Sequence, residues 1–170
     1  MKKYAFLVVV SLLLACNQQM DTKAKPTDHE PEVAQKTTTQ IKKELLDEGY
    51  EIFDYVDPET QDTIIMQQYF IAFLKAGPNR DHSEDEANKI QEAHMAHLGR
   101  MYEMGYADIS GPFGDDGEMR GITIYNVPTL KMADSLANMD PAGLAGRLVI
   151  DVQPWWAAKG FPFRALEIRL

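Results

Sequence analysis

The stretch "SEDEANKIQEAHMAHLGRMYEMG", residues 83–105, decides how this chain is organised. Ser83 followed by Glu86 fits a capping box, and Glu84, Asp85 and Glu86 crowd the first turn, where the helix dipole favours negative charge. At helical spacing, Ala87, Ile90, His94, His97, Leu98, Met101 and Met104 fall within an arc of about 120°. The opposite side carries Glu84, Asp85, Lys89, Gln91, Glu92, Arg100 and Glu103. A helix ending at Gly105 is therefore expected, and it turns two of the chain's 4 histidines inward. Leucine would pack there at lower cost than imidazole. The stripe is accordingly expected to border a cleft, with His94 nearest its middle.

Upstream of this helix, "TTQIKKELLDEG" (38–49) predicts a short helix with Gly49 as its C′ residue. "YEIFDYV" (50–56) and "TIIMQQYFIAFLKAG" (63–77) are rich in β-branched and aromatic residues, and the turn-like "DPETQD" separates them. They predict a hairpin whose second strand is long and central. Downstream, "YADISGPFGDDGEMRGITIYNV" (106–127) predicts a second hairpin around Asp116-Gly117. "PTLKMADSLANMD" (128–140) is an amphipathic helix with Leu130, Ala133, Leu136 and Ala137 on one side. It stops at Asp140-Pro141, because a residue before proline is pushed out of the helical region. "GRLVIDVQPWW" (146–156) is a final strand. From Tyr69 onward the order is strand, helix, strand, strand, helix, strand. That is the ferredoxin-like βαββαβ pattern of an α+β domain, an antiparallel sheet with two helices on one face.

The two ends of the chain differ in character from this domain. "MKKYAFLVVVSLLLAC" (1–16) has two lysines, an apolar run and a small residue before the only cysteine, as a secretory signal does. Leu13-Leu14-Ala15-Cys16 resembles a bacterial lipobox. That resemblance implies cleavage after residue 15, diacylglycerol on the Cys16 sulfur and acylation of the new N-terminus. Asn17 in place of aspartate implies the outer membrane of a Gram-negative cell envelope rather than the inner one. Lipidated Cys16 leaves no thiol for a disulfide, a nucleophile or a thiolate metal site. Residues 16–40 are polar and hold two prolines, so they read as a disordered tether, and His29 within them is given no role. The expected organisation is signal peptide 1–15, tether 16–40, an N-terminal extension 41–65, the domain proper 66–156 and a tail 157–170. In that tail Leu166, Ile168 and Leu170 alternate with charges, suggesting an added edge strand or an arm over a partner subunit.

The formal charge is −9, and loss of Lys2 and Lys3 with the signal takes it to −9 − 2 = −11. Nucleic acid is excluded as a partner, because phosphate binding needs clustered Lys and Arg and the sequence has no such cluster. No repeat, no GxSxG elbow and no HExxH motif is present, and "GPFGDDG" does not lead into a helix as a phosphate loop must. No cofactor is expected.

The succession "YFIAFLKAGP", "HMAHLGRMYEMGYADISGP", "GITIYNV" and "ADSLANMDPAGLAGRLVIDVQPW" resembles the YCII-related (YciI-like) domain. That family places one histidine in its first helix, eleven residues before a glycine that starts the second strand. Counting back from Gly105 gives His94. Gly111-Pro112, Asp140-Pro141, Gly146 and Pro154-Trp155 match the family's remaining points. The resemblance implies a dimeric α/β barrel, hence a homodimer, and an active site in which His94 faces Asp140 in a cleft. One branch of the family eliminates chloride from a chlorinated aromatic ring. His97, the lipid anchor, residues 41–65 and the tail depart from the family pattern.

The residue chemistry suits such a pair. A carboxylate on one ring nitrogen fixes the tautomer and leaves the other nitrogen to act as a general base. Equally, His94 can be a core histidine and Asp140 a cap for the turn at Pro141. His97 is expected on the cleft wall. Histidines at i and i+3 with Asp140 also make a three-ligand metal site conceivable, although no metal is assigned. Ser110, before Gly111-Pro112, is expected to present a hydroxyl to substrate. Trp155 and Trp156 read as a hydrophobic lid or barrel rim. Three functions follow: a membrane-anchored lyase- or hydrolase-like enzyme acting on a small, for example aromatic, molecule; a non-catalytic dimeric binding or assembly module of the cell envelope; or a metal site on His94 and His97.

Overall fold

The computed structural model describes residues 36–160. The signal sequence, Cys16, His29, most of the expected tether and the alternating tail lie outside the described residues. The elements are α1 (Thr38–Asp47), β1 (Ile52–Val56), β2 (Thr63–Ala76), α2 (Glu84–Glu103), β3 (Ala107–Pro112), β4 (Met119–Tyr125), α3 (Leu130–Asn138), α4 (Pro141–Leu144) and β5 (Leu148–Ala158).

The capping box expected for α2 is present, and α1 carries a second, unexpected one. Ser83 Oγ accepts from Glu86 N–H at the start of α2, while Glu86 Oε2 accepts from Ser83 N–H at 3.0 Å. Thr37 and Gln40 do the same for α1, so that helix begins inside the stretch expected to be tether. At the far end of α2, Tyr106 N–H donates to Met101 C=O and Gly105 N–H to Tyr102 C=O, the paired bonds of a Schellman motif.

β2 is long and central, as the sequence predicts. One edge pairs with β5 over Met66 to Ala76. The other edge is shared: β1 takes Thr63 to Gln67, and β4 takes Phe70 to Lys75. β3 then pairs with β4 on the outside, through Ala107↔Tyr125 to Pro112↔Gly121. The spatial order β5-β2-β4-β3 is the ferredoxin-like arrangement, with β1 added end to end with β4. The β3–β4 connection spans residues 113–118, longer than a two-residue turn at Asp116-Gly117 would give.

The burial pattern of β2 changes phase partway along. Ile65, Gln67 and Tyr69 are buried on one face, and Phe70, Ala72 and Leu74 on the other. The second set forms the core with Met101 of α2, Tyr125 of β4, and Ala133 and Ala137 of α3. Burying a side chain such as Phe70 stabilises the fold by roughly 2–3 kcal/mol. The first set lies on the face that α1 covers. Lys42 of α1 bonds Asp54, which sits opposite Ile65 across the β1–β2 pairing. Two long helices thus share one face as expected, and α1 occupies half of the other.

Several details differ from expectation. Met104 is 57 % and Leu130 45 % exposed, because each sits at a helix end beyond the reach of the sheet. β5 runs on through Ala157 and Ala158, which pair with Gln67 and Met66. The four-residue α4 was too short for its periodicity to be visible. Trp155 packs on Tyr69 and Trp156 on Phe53. Among the described residues no helix is long and apolar enough to cross a membrane.

Candidate active site

Asp140 closes α3 and opens α4, with Pro141 at the first helical position, where its missing N–H costs nothing. Its two carboxylate oxygens do different work. Oδ1 accepts from Ala142 N–H at 2.8 Å, an N-cap bond, and Oδ2 meets His94 Nδ1 at 2.7 Å. Capping and pairing were alternatives in the sequence, and the fold realises both. An ionised carboxylate only accepts, so the bond takes its proton from Nδ1, and in the neutral ring Nε2 is then the nitrogen with a free lone pair. Asp140 is 2 % exposed. Its pairing therefore holds the imidazole ring of His94 in one orientation, with little water to compete for the carboxylate.

His94 stands on the wall of a cleft of about 800 Å³ between α2 and the β3–β4 side of the sheet. Gln91, His94, Leu98 and Tyr102 supply one wall at helical spacing, and Ala107, Ser110 and Gly121 supply the other. Gln91, expected in solvent, is thus on the cleft. Ser110 is where the sequence placed it, its hydroxyl 3.0 Å from that of Thr123. Asp140 lies behind His94 rather than in the cleft lining.

His97 corrects an expectation. It does not line the cleft and is 1 % exposed, more deeply buried than His94. Three residues turn the helix by about 300°, which carries His97 round toward the core. Burial lowers its pKa; Asp140 opposes this, Arg100 and His94 reinforce it, and the Leu136 carbonyl opposes it weakly. The ring is held neutral, and its Nε2 has no partner among the described residues. Nor do any three His, Cys, Asp or Glu side chains among the described residues converge as metal ligands, so His94, His97 and Asp140 do not form the conceived metal site.

Three residues that the sequence did not single out also line the cleft: Arg80, Arg120 and Arg147. They come from the β2–α2 loop, the start of β4 and the α4–β5 loop. Register places these at one end of the sheet, since Ala76 faces Leu148 and Lys75 faces Met119. The available signal was sparse: each arginine stands within three residues of a glycine near an element boundary.

No curated protein matches the chain. A solved structure that it resembles is 5-chloro-2-hydroxyhydroquinone dehydrochlorinase (TftG) from Burkholderia phenoliruptrix AC1100, in complex with 2,5-dihydroxybenzoquinone. The identity is 23 %, the TM-score 0.39, and the match covers 51 % of this chain and 92 % of that one. The model of the YCII-related domain matches residues 70–156, a span holding α2, the His94–Asp140 pair and both long helices of the core, and the chain belongs to the YCII-related family.

Proposed function

We propose that the protein is a small-molecule enzyme of lyase or hydrolase type, in which His94 is the general base and Asp140 orients it. The observation that carries this reading is the 2.7 Å bond from a buried carboxylate to a histidine that itself lines a cleft. His94 Nε2 takes a proton from the substrate. The electron pair left behind forms a double bond as a leaving group departs from the neighbouring carbon. Where water gives up the proton instead, its oxygen adds to an electrophilic carbon, the bond to the leaving group breaks, and His94 returns the proton to that group. Ser110 orients the reacting molecule from the facing wall, and the apolar lining suits a compact, ring-bearing body.

The test is a substrate screen with the wild type followed by His94→Gln. Loss of a general base is expected to cost about 10²–10⁴-fold in kcat, with the fold intact by circular dichroism. Turnover that survives His94→Gln within a factor of about two would remove His94 from the chemistry.

A second reading has an observation of its own. Ile71 and Phe73 of β2, with Ile122 and Ile124 of β4, share the sheet face opposite α2 and α3, beyond the part that α1 overlies, and none of them is fully buried. A second copy of the chain would cover this apolar face, as in a dimeric barrel. Analytical ultracentrifugation should give a dimer, and Phe73→Glu should give a monomer. If the screen finds no turnover and the dimer stands, the protein is a binding or assembly module. We also hold that Cys16 is lipidated and anchors the protein in the outer membrane. Incorporation of a palmitate analogue, abolished in Cys16→Ser, is the expected result.

A further inference from the structure

The proposed enzyme has no assigned substrate class, and the charge distribution of the cleft supplies one. We propose that the substrate is an organic acid whose carboxylate is received by Arg80 and Arg147. This rests on the cleft being a substrate site. Of the chain's six arginines three line this one cleft, and no lysine does. The only carboxylate in the lining is Asp108, so the lining carries 3 − 1 = +2 in a chain whose formal charge is −9. Local charge opposite to that of the whole molecule marks a place that attracts anions.

The three guanidinium groups are not equivalent. Arg120 already donates to the Gly117 carbonyl and lies 3.7 Å from Asp116. Arg80 and Arg147 have no carboxylate partner among the described residues. Their backbones, by contrast, are fixed to each other. Gly77 N–H donates to the Arg147 carbonyl at 2.8 Å, Asn79 N–H to the Gly146 carbonyl at 3.0 Å, and Asn79 Nδ2 to the Ala145 carbonyl at 3.0 Å. Gly77 is required for this approach, because a Cβ there would meet Arg147 C at 2.7 Å and Leu148 N at 2.8 Å. Gly146 turns the second loop back with φ 71°, a conformation that favours glycine. Two arginine-bearing loops are thus joined before any ligand arrives, which reduces the ordering cost of binding.

The guanidinium plane presents paired N–H donors that match the two oxygens of a carboxylate, which an ammonium group cannot do. Leu74, Leu98, Ala107 and Leu148 line the same cleft and receive an apolar body. The acid is held by the arginine loops while the reacting carbon reaches the imidazole of His94, which lines the same cleft.

The test measures binding of phenylacetate, phenylacetamide and phenyl phosphate to the full chain by calorimetry. The acid is expected to bind at least about tenfold tighter than the amide, a difference of the size one charge-assisted pair supplies. Arg80→Gln and Arg147→Gln should each weaken the acid severalfold, and the double variant should bind acid and amide alike. Arg80→Lys should recover only part of the loss. Arg100→Gln, outside the lining, should change nothing. Equal binding of acid and amide by the wild type, no saturation by the acid up to about 50 mM, or discrimination surviving in the double variant overturns the proposal. Tighter binding of phenyl phosphate than of phenylacetate overturns the choice of carboxylate. His94→Gln separates the two readings. If it keeps the arginine-dependent preference but no variant or wild type turns over an acid, the catalytic reading fails and the anion site stands. If His94-dependent turnover is indifferent to both arginines, the anion site fails and the catalytic reading stands.

Discussion

The two sides of α2 are built from similar residues and are put to different uses. On the cleft side, Gln91, His94, Leu98 and Tyr102 leave an open wall with an imidazole bonded from behind by Asp140. On the core side, His97 and Met101 are buried against the sheet and α3. A histidine facing a cleft keeps a nitrogen for chemistry. One turned into the core is held neutral by its surroundings and contributes volume. The helix supplies both surfaces because each heptad spreads its side chains around the axis. Whatever packs opposite decides which positions remain open.

That contrast predicts a separation of function from stability. The largest effect is expected at His94→Gln, with turnover down about 10²–10⁴-fold and an unfolding midpoint close to wild type. On the other side, Met101→Ala leaves a cavity in the core and should cost about 2–5 kcal/mol in urea denaturation, while the folded fraction keeps its kcat. A kcat that falls with Met101→Ala as far as with His94→Gln would erase the distinction between the sides.

Asp140 sharpens the comparison, because one residue serves both. Asp140→Asn keeps an oxygen for the Ala142 N–H but loses the carboxylate opposite Nδ1. Asp140→Ala loses both bonds. The two variants should be similarly impaired in turnover, with the alanine variant less stable by about 1 kcal/mol, the usual worth of an N-cap. Equal stability of the two would mean that the cap contributes nothing.

The smallest effect concerns acid. His97 has a folded pKa below its ordinary 6.5, so below pH 6.5 the unfolded chain binds more protons than the folded one. Its contribution is therefore favourable above pH 6.5 and is lost as pH falls through that value toward the folded pKa. His97→Gln should flatten this part of the stability profile measured between pH 7 and 5. A profile unchanged by the substitution would show that His97 does not carry the acid sensitivity.

Much of this was legible in the chain. Ser83 and Glu86 fixed the start of α2, the paired hydrophobic runs fixed β2 as central, and the family resemblance, counted back from Gly105, pointed to His94 rather than His97. What was not legible depended on contacts between distant segments. His94 and His97 lie about 60° apart around the helix axis, too close for periodicity alone to say which one the core covers. Gln91 looked solvated because nothing in its own helix reveals β3 across the cleft. Arg80, Arg120 and Arg147 are separated by tens of residues, and only the register of β2 with β4 and β5 gathers them. The dual role of Asp140 was hidden because a four-residue helix leaves no periodic trace.

The shared edge of β2 has a consequence for the order in which the molecule opens. From Met66 to Lys75 this strand is flanked by β5 on one side and by β1 or β4 on the other for nearly its whole length, whereas β1 and β3 each have a single neighbour. The β2 amide hydrogens bonded to β5 and β4 should exchange at the rate of global unfolding and those bonded to β1 with that edge strand, while β1 and β3 exchange earlier. Because β5 pairs residues about eighty positions away in sequence, that innermost strand is also sealed only after a long chain segment has closed. The arginine loops at its end can meet only once that intervening segment has closed.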